Sequence, residues 1–235
     1  MPMATFAHPT PEAMTDELKK MIDDFFAAQC RYEAAIRQVK AKLENLDAEF
    51  QMQHRRNPIH HMQTRLKSLQ SIVEKLQRKG LPVTMTSAAT NLTDIAGVRV
   101  ICSYLDDIYT VARLLLQQDD VKLLRTRDYI REPKPNGYRS LHLIIQVPVY
   151  LSEGKLLVPV EVQIRTIAMD FWATLEHQLR YKAIPTIPAS ISDELVQTAT
   201  DISLLDQRMQ RIHDQVELLE RDEREKLEHA RLIKI

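Results

Sequence analysis

Apolar residues return every seven positions in two separate parts of the chain. Between Leu18 and Phe50 they form two interleaved series, Leu18, Phe25, Tyr32, Val39, Leu46 and Ile22, Gln29, Ile36, Leu43, Phe50, broken only by Gln29. A seam of that period is a long helix with one face to bury. Thr15 is its candidate N-cap, with Asp16 and Glu17 at the positive end of the helix dipole. Asn57-Pro58 is its expected stop, because the residue before proline is pushed out of the α region. The same period recurs in Leu195, Ile202, Met209, Val216 and in Thr198, Leu205, Ile212, Leu219, before a solvated charge run. Two such helices can pack on each other or on a second copy of the chain.

Between these helices the pattern shortens. Ile59, Met62, Leu66, Leu69, Ile72, Val73 and Leu76 make one stripe, which predicts a helix from Pro58 to Lys79 stopped by Gly80-Leu81-Pro82. Residues 83–93 have no period and read as a loop or short helical turn. Asp94 to Tyr104 is rich in β-branched residues and reads as a central strand, with Gly97 allowing a bulge or a close backbone approach. Strict alternation puts Asp94 and Arg99 on opposite faces unless Asp94 lies at the strand mouth. Asp106 to Gln118 reads as a crossing helix with Ile108, Val111, Ala112, Leu115 and Leu116 facing inward. Val121 to Thr126 is a strand, and Leu141 to Val149 and Leu156 to Ile164 alternate as two more, joined by a hairpin of the longer-loop kind. Thr166 to Tyr181 is a helix carrying the sole tryptophan, Trp172, with Phe171, Leu175 and Leu179 as expected core; Pro185 and Pro188 mark a break. The order predicts an α/β core over 58–184, flanked by helical segments 1–57 and 185–235.

Charge and cysteine content narrow the function. The 32 basic and 32 acidic residues cancel, so attraction for polyanions is local and a general nucleic-acid binder is disfavoured. Cys30 and Cys102 are far apart, which gives neither metal-type spacing nor a disulfide framework and fits a reducing cytoplasm. No apolar stretch approaches the ~20 residues that span a bilayer, and the N-terminus has no leader pattern. A soluble cytoplasmic protein is expected.

The chemistry concentrates in residues 127–142. Pro133 and Pro135 stiffen this loop, Asn136-Gly137 turns it, and Arg127, Arg131, Lys134 and Arg139 offer cations for phosphate oxygens. Tyr138 offers an aromatic face to a purine. Alternation puts Glu161, Gln163 and Arg165 on one wall of a polar cleft. Asp94 and Glu161 are hard oxygen donors suited to Mg²⁺ carried with a nucleoside triphosphate, and Arg65, Lys67, Lys75 and Arg99 can hold its phosphates. Arg65, Ser68, Ser71 and Lys75 fall on neighbouring turns of the expected helix. With 4 glycines and no glycine-rich phosphate loop, side-chain cations must do the cradling. His213-Asp214 spells a metal phosphohydrolase dyad, but no further ligand set surrounds it.

Three ordered motifs carry a resemblance. Asp94-Ile-Ala-Gly-Val-Arg99, then Asp128-Tyr-Ile with Lys134-Pro-Asn-Gly-Tyr-Arg-Ser-Leu-His142, then Val160-Glu-Val-Gln-Ile-Arg-Thr166 with Asp170-Phe-Trp-Ala-Thr-Leu-Glu-His177, resemble the synthetase domain of the RelA/SpoT family. The likeness is greatest to its short members, the small alarmone synthetases. It implies a mixed sheet of nucleotidyltransferase type flanked by helices, and transfer of the β,γ-pyrophosphate of ATP to the ribose 3′-hydroxyl of GDP or GTP, releasing AMP. It implies Mg²⁺ at Asp94 and Glu161, with Glu161 activating the 3′-hydroxyl. ATP would meet Arg65, Lys67, Ser71, Lys75 and Arg99; the guanosine nucleotide would meet Arg127, Lys134, Asn136, Tyr138 and His142. A homotetramer and synthesis without hydrolysis are also implied.

Departures from the family pattern qualify this. Gln63-Thr64 precedes Arg65 where a glycine is usual before it, and Lys40-Ala-Lys-Leu-Glu44-Asn-Leu-Asp47 mixes acids into a region where some relatives bind product as a regulator. Activation by product, (p)ppGpp, is therefore not expected, and the sequence leaves control by RNA open. Two other readings remain at the level of sequence: an adenosine nucleotide or tRNA end as acceptor, because Tyr138 stacks on any purine, or a silent nucleotide or RNA binder, which would not need an acid pair.

Overall fold

The computed structural model describes residues 16–53, 56–182 and 188–232; the Thr15 cap and the Pro185 break lie outside them. Helix α1 (Asp16–Met52) is followed by β1 (Ile59–Leu66), α2 (Leu69–Arg78), α3 (Met85–Asn91), β2 (Ala96–Cys102), α4 (Leu105–Leu116), β3 (Lys122–Asp128), β4 (Leu141–Leu151), β5 (Gly154–Thr166), α5 (Ile167–Lys182) and α6 (Ala189–Leu232). The strands form one five-stranded sheet in the order β1-β2-β5-β4-β3. Only β2 and β5 run parallel. The expected mixed sheet with long terminal helices is what the chain forms.

The α1 seam is buried as its period requires. Phe25, Tyr32, Ile36, Val39 and Leu43 join Val98, Val100, Val160, Val162 and Ile164 in one core, so α1 lies on the apolar face of the sheet and touches β1, β2, β4 and β5. Gln29, the break in the seam, is half-buried and donates to Glu33 at 2.7 Å. Ile108, Val111 and Leu115 bring α4 into the same core. α1 ends at Met52, before the proline. Among the described residues no helix is long and apolar enough to cross a membrane.

Four expectations need correction. Residues 59–66 are a strand, not the first turns of a helix. Ile59, Met62 and Leu66 have helical spacing, but antiparallel pairing with β2 satisfies this backbone, and the helix starts only at Ser68, whose side chain accepts from Ser71 N. Gly97 is neither a bulge nor a point of close approach. The β1–β2 register is regular there and shifts between Ile59 and His61 instead, and a Cβ on Gly97 would meet Arg65 O at an ordinary 3.5 Å. On α5 it is Met169, Trp172 and Ala173 that are buried, while Phe171, Leu175 and Leu179 are 59%, 42% and 52% exposed; two apolar stripes compete on this helix, and packing selects the one containing Trp172. The β4–β5 hairpin is a tight turn, with Leu151 paired to Gly154, whose φ of +114° suits glycine.

The exposed residues of α6 complete the picture. Its buried face is Ala199 and Asp206, with Leu195 and Ile202 half-buried, whereas Leu205, Met209, Ile212, Val216 and Leu219 face outward. The two heptad helices thus do different work: α1 covers the sheet, and α6 leaves its seam open.

Truncating Leu43, which is 0% exposed beneath the sheet, to alanine is expected to cost about 2–5 kcal/mol in urea denaturation. A cost below about 1 kcal/mol would mean that α1 is not part of the core.

Candidate active site

Register aligns the polar residues across the sheet. Gln63 on β1 pairs with Arg99 on β2, Arg99 with Gln163 on β5, Gln163 with His142 on β4, and His142 with Arg127 on β3. Two residues along, Arg65, Gly97 and Glu161 form a second row. At about 4.8 Å between strands the first row, which crosses all five, spans roughly 19 Å, room for two nucleotides side by side. Apolar residues occupy the alternate positions, so folding the core on one face forces these side chains onto the other.

The β1–β2–β5 part of this face is a cleft of about 430 Å³ lined by Gln63, Arg65, Lys67, Asp94, Gly97, Arg99, Glu161 and Gln163. Asp94 precedes β2 and sits at its mouth, which removes the conflict with Arg99 that alternation raised. Its Oδ2 accepts from Lys67 Nζ at 2.8 Å and Lys75 Nζ at 2.6 Å. Burial acts to raise the Asp94 carboxyl, but these two ammonium groups outweigh it and hold the group below the ordinary aspartate value. Asp94 Oδ1 is buried and has no hydrogen-bond partner. A buried carboxylate oxygen left open beside a polar cleft is a donor in want of a cation. Ser71 does not line the cleft; it is at the start of α2, where its hydroxyl accepts from Ser68 at 3.0 Å.

Glu161, on β5, stands between the cleft and the loop within residues 127–142. Its Oε2 accepts from Gln163 at 2.9 Å and its Oε1 lies 3.2 Å from His142 Nδ1. Burial tends to raise its carboxyl; His142 and Gln163 reverse that, against some repulsion from Asp94, and the result is a lowered value. His142 Nε2 in turn lies 2.8 Å from the Tyr138 hydroxyl, which receives a 2.5 Å bond from Arg165 Nη2. One proton arrangement satisfies the chain: Arg165 donates to Tyr138, Tyr138 to His142 Nε2, and His142 Nδ1–H to Glu161.

That loop joins this network at several points. Asp128 accepts from the backbone of Ile130 and Arg131 and opens the loop. Lys134 Nζ lies 4.6 Å from the ring centres of both Tyr129 and Tyr138, Asn136 donates to Glu176 at 3.0 Å, and Arg127 donates to the Tyr129 hydroxyl at 3.0 Å. Arg139 is not a free cation: it donates to Ile130 O and braces the loop. The site residues expected from sequence thus fall into two neighbouring groups, Arg65, Lys67, Lys75, Asp94 and Arg99 on one side and Arg127, Lys134, Asn136, Tyr138 and His142 on the other, with Glu161 between them.

Residues outside that expected set hold the groups together. Asp170 Oδ1 accepts from Arg165 Nη1 at 3.1 Å and Arg99 Nη1 at 3.4 Å. Burial and the neighbouring Arg165 charge lower the Arg99 guanidinium, and Asp170 offsets part of this. Arg165 was visible in the alternation of β5. Gln63 was hidden by the helical reading, in which residues two apart do not share a face as Gln63 and Arg65 do on a strand. Asp170 gave no periodic signal. His213 belongs to no dyad: it stacks on Tyr104 at 4.3 Å and helps seat α6, and among the described residues no cluster of three or more potential ligands could hold a metal.

The lowered carboxyls make stability depend on acidity. With both folded values below the ordinary 3.8 and 4.5, the folded chain binds fewer protons than the unfolded chain on the acid side. Their contribution is complete above the ordinary values and is lost as pH falls through the folded ones. Urea denaturation between about pH 6 and pH 3 should therefore show a decline that is shallower in Asp94→Asn; equal slopes would mean that Asp94 is not held ionised by the lysines.

The comparisons with known proteins agree with this geometry. The sequence profile described as the region found in RelA / SpoT proteins matches residues 64–185. The chain is 44% identical over 202 residues to the GTP pyrophosphokinase YwaC of Bacillus subtilis, covering 86% of this chain and 96% of that protein, and 37% identical over 186 residues to YjbM of the same organism, covering 79% and 87%. The crystal structure of small alarmone synthetase 1 from Bacillus subtilis bound to its product pppGpp superposes with a TM-score of 0.78 at 36% identity, covering 83% of this chain and 98% of that one. Small alarmone synthetase 2 gives 0.74 at 43% identity, with 82% and 99% covered. With this match spanning the sheet and both halves of the cleft, the chain belongs to the RelA/SpoT family, among its small alarmone synthetases.

Proposed function

We propose that this cleft is where the β,γ-pyrophosphate of ATP passes to the ribose 3′-hydroxyl of GDP or GTP, so that the chain acts as a GTP pyrophosphokinase making (p)ppGpp and AMP. The carrying observation is Glu161 on the central β5, flanked by a cationic cleft on one side and tied through His142 to the aromatic acceptor loop on the other. ATP lies along the first group, with Arg65 and Arg99 at adenine and Lys67 and Lys75 at the phosphates; Ser71, held by Ser68 at the start of α2, lies outside this path. The guanine base stacks at Tyr138 near Lys134 and Asn136, with Arg127 toward the acceptor phosphates. The cytoplasm, where both nucleotides are available, is the compartment this reading requires.

The reaction follows from these positions. Glu161 is ionised, and the His142 N–H fixes one of its oxygens, so it can take the proton of the 3′-hydroxyl. The freed oxygen bonds to the β-phosphorus, and the bond from that phosphorus to the bridging oxygen breaks, releasing AMP. Lys67 and Lys75, already paired with Asp94, turn to phosphate oxygens. Asp94, with its open Oδ1, and Glu161 have the oxygen donors to hold Mg²⁺, which when bound would offset charge on the phosphates. In this division of labour 58–184 carries the chemistry, while 1–57 and 185–235 pack around it and support assembly.

A homotetramer is part of the same reading. Leu205, Met209, Ile212, Val216 and Leu219 on α6, and Phe171, Leu175 and Leu179 on α5, are exposed in the isolated chain, and a second copy is the occupant that matches the heptad spacing of the α6 residues. Lys40 is paired with Glu44 and Lys42 with Asp120, which does not favour this stretch as a polyanion site.

Glu161→Gln is expected to lower turnover by roughly 10²–10⁴-fold while leaving guanosine-nucleotide affinity within about threefold, less than 1 kcal/mol; an equal loss of binding would contradict the base assignment. In light scattering the wild type should run as a tetramer and Ile212→Glu as a smaller species. A wild-type monomer would refute the assembly.

A further inference from the structure

The acceptor loop does not rest on the sheet alone. At its turn, Gly137 has φ +87° and lies so close to α6 that a Cβ built on it would meet Ala199 Cβ at 2.6 Å and Val196 Cα at 3.5 Å. Ala199 is 4% exposed. The next loop residue, Tyr138, packs into the small cluster of Trp172, Ala173 and Ala199, flanked by Leu195 and Ile202. Trp172 Nε1 fixes that cluster from the α5 side by donating to Leu195 O at 3.0 Å. A second hold lies two turns on, where buried Asp206 accepts from Thr166 Oγ1 at 2.7 Å, and that same Oγ1 accepts from Met169 N in the first turn of α5. The backbone of α6 thus approaches the turn that presents Tyr138 as closely as two side-chain-poor residues permit.

We infer that α6 is the positioning element of the acceptor loop, with Ala199 seated against Gly137 setting how Tyr138 meets the acceptor base. The inference rests on the acceptor role given to Tyr138 above. Geometry separates it from the donor side: Ala199 is not among the residues that line the cleft with Arg65, Lys67, Asp94 and Arg99. Volume added at position 199 is expected to push on the turn, because even one carbon built on Gly137 would come within 2.6 Å of Ala199 Cβ, and Gly137 cannot relax into ordinary φ without rebuilding the turn. Ala199 does not touch substrate and acts only through Gly137 and Tyr138.

The test is a pair of kinetic comparisons on the full chain. Ala199→Val should raise the KM for the guanosine acceptor roughly tenfold, with the ATP KM within about twofold, as overpacking at one contact would produce. Acceptor binding read from Trp172 fluorescence should weaken by the same factor. Because Ala199→Val could also impair folding, a second cycle decides independently. Gly137→Ala should raise the acceptor KM, and adding Ala199→Gly should recover part of the loss by removing the facing Cβ, the remainder being the cost of positive φ. An unchanged acceptor KM in a folded Ala199→Val, equal rises in both KM values, or no recovery in the double variant would each overturn the inference. A wild type that pyrophosphorylates no guanosine nucleotide would overturn the functional reading itself, so the two failures are distinguishable.

Discussion

Everything at this site depends on the parallel pairing of β2 with β5. That ladder sets Gly97 beside Glu161 and Arg99 beside Gln163, and the antiparallel neighbours on either side extend the rows to β1 and β3. Because side chains alternate, filling the opposite face with valine, leucine and isoleucine against α1 and α4 fixes which residues face the cleft. A slip of one residue between β2 and β5 would bury Arg99 and expose Val98. The apolar core therefore specifies the active site, as well as stabilising the fold.

Charges gathered on one sheet face must be balanced before a substrate arrives. Asp94 is held by two lysines, Glu161 by His142 and Gln163, and Asp170 by two arginines. The partners of Asp94 and Glu161 hold those two carboxyls below their ordinary values in spite of burial, yet Asp94 Oδ1 and the Nε atoms of Arg99 and Arg165 are left without partners. Unsatisfied buried polar atoms are costly. A polyanion that displaces the lysines from Asp94 and gives the arginines a partner would relieve that cost.

Much of this was legible in the sequence. The heptad seam located α1, although its stop came at Met52 rather than at the expected Asn57-Pro58, alternation put Glu161, Gln163 and Arg165 on one wall, and the composition of residues 127–142 marked a loop of cations around an aromatic face. What was not legible depended on pairing between distant segments. Ile59, Met62 and Leu66 have a helical interval, and only the partner β2 makes them a strand. α5 carries two apolar stripes, and nothing local says that Trp172 turns inward while Phe171 does not. Ala199 is an ordinary helix residue until Gly137 is brought against it.

The most direct measurement follows the pyrophosphate itself. The purified chain, given Mg²⁺ and ATP labelled in the β- or the γ-phosphate, is incubated with GDP, GTP or adenosine nucleotides, and the products are separated. The account predicts that both labels move together onto the 3′ position of the guanosine nucleotide, with AMP as the other product. Transfer of the γ label alone with release of ADP, or transfer only to an adenosine nucleotide, would contradict it.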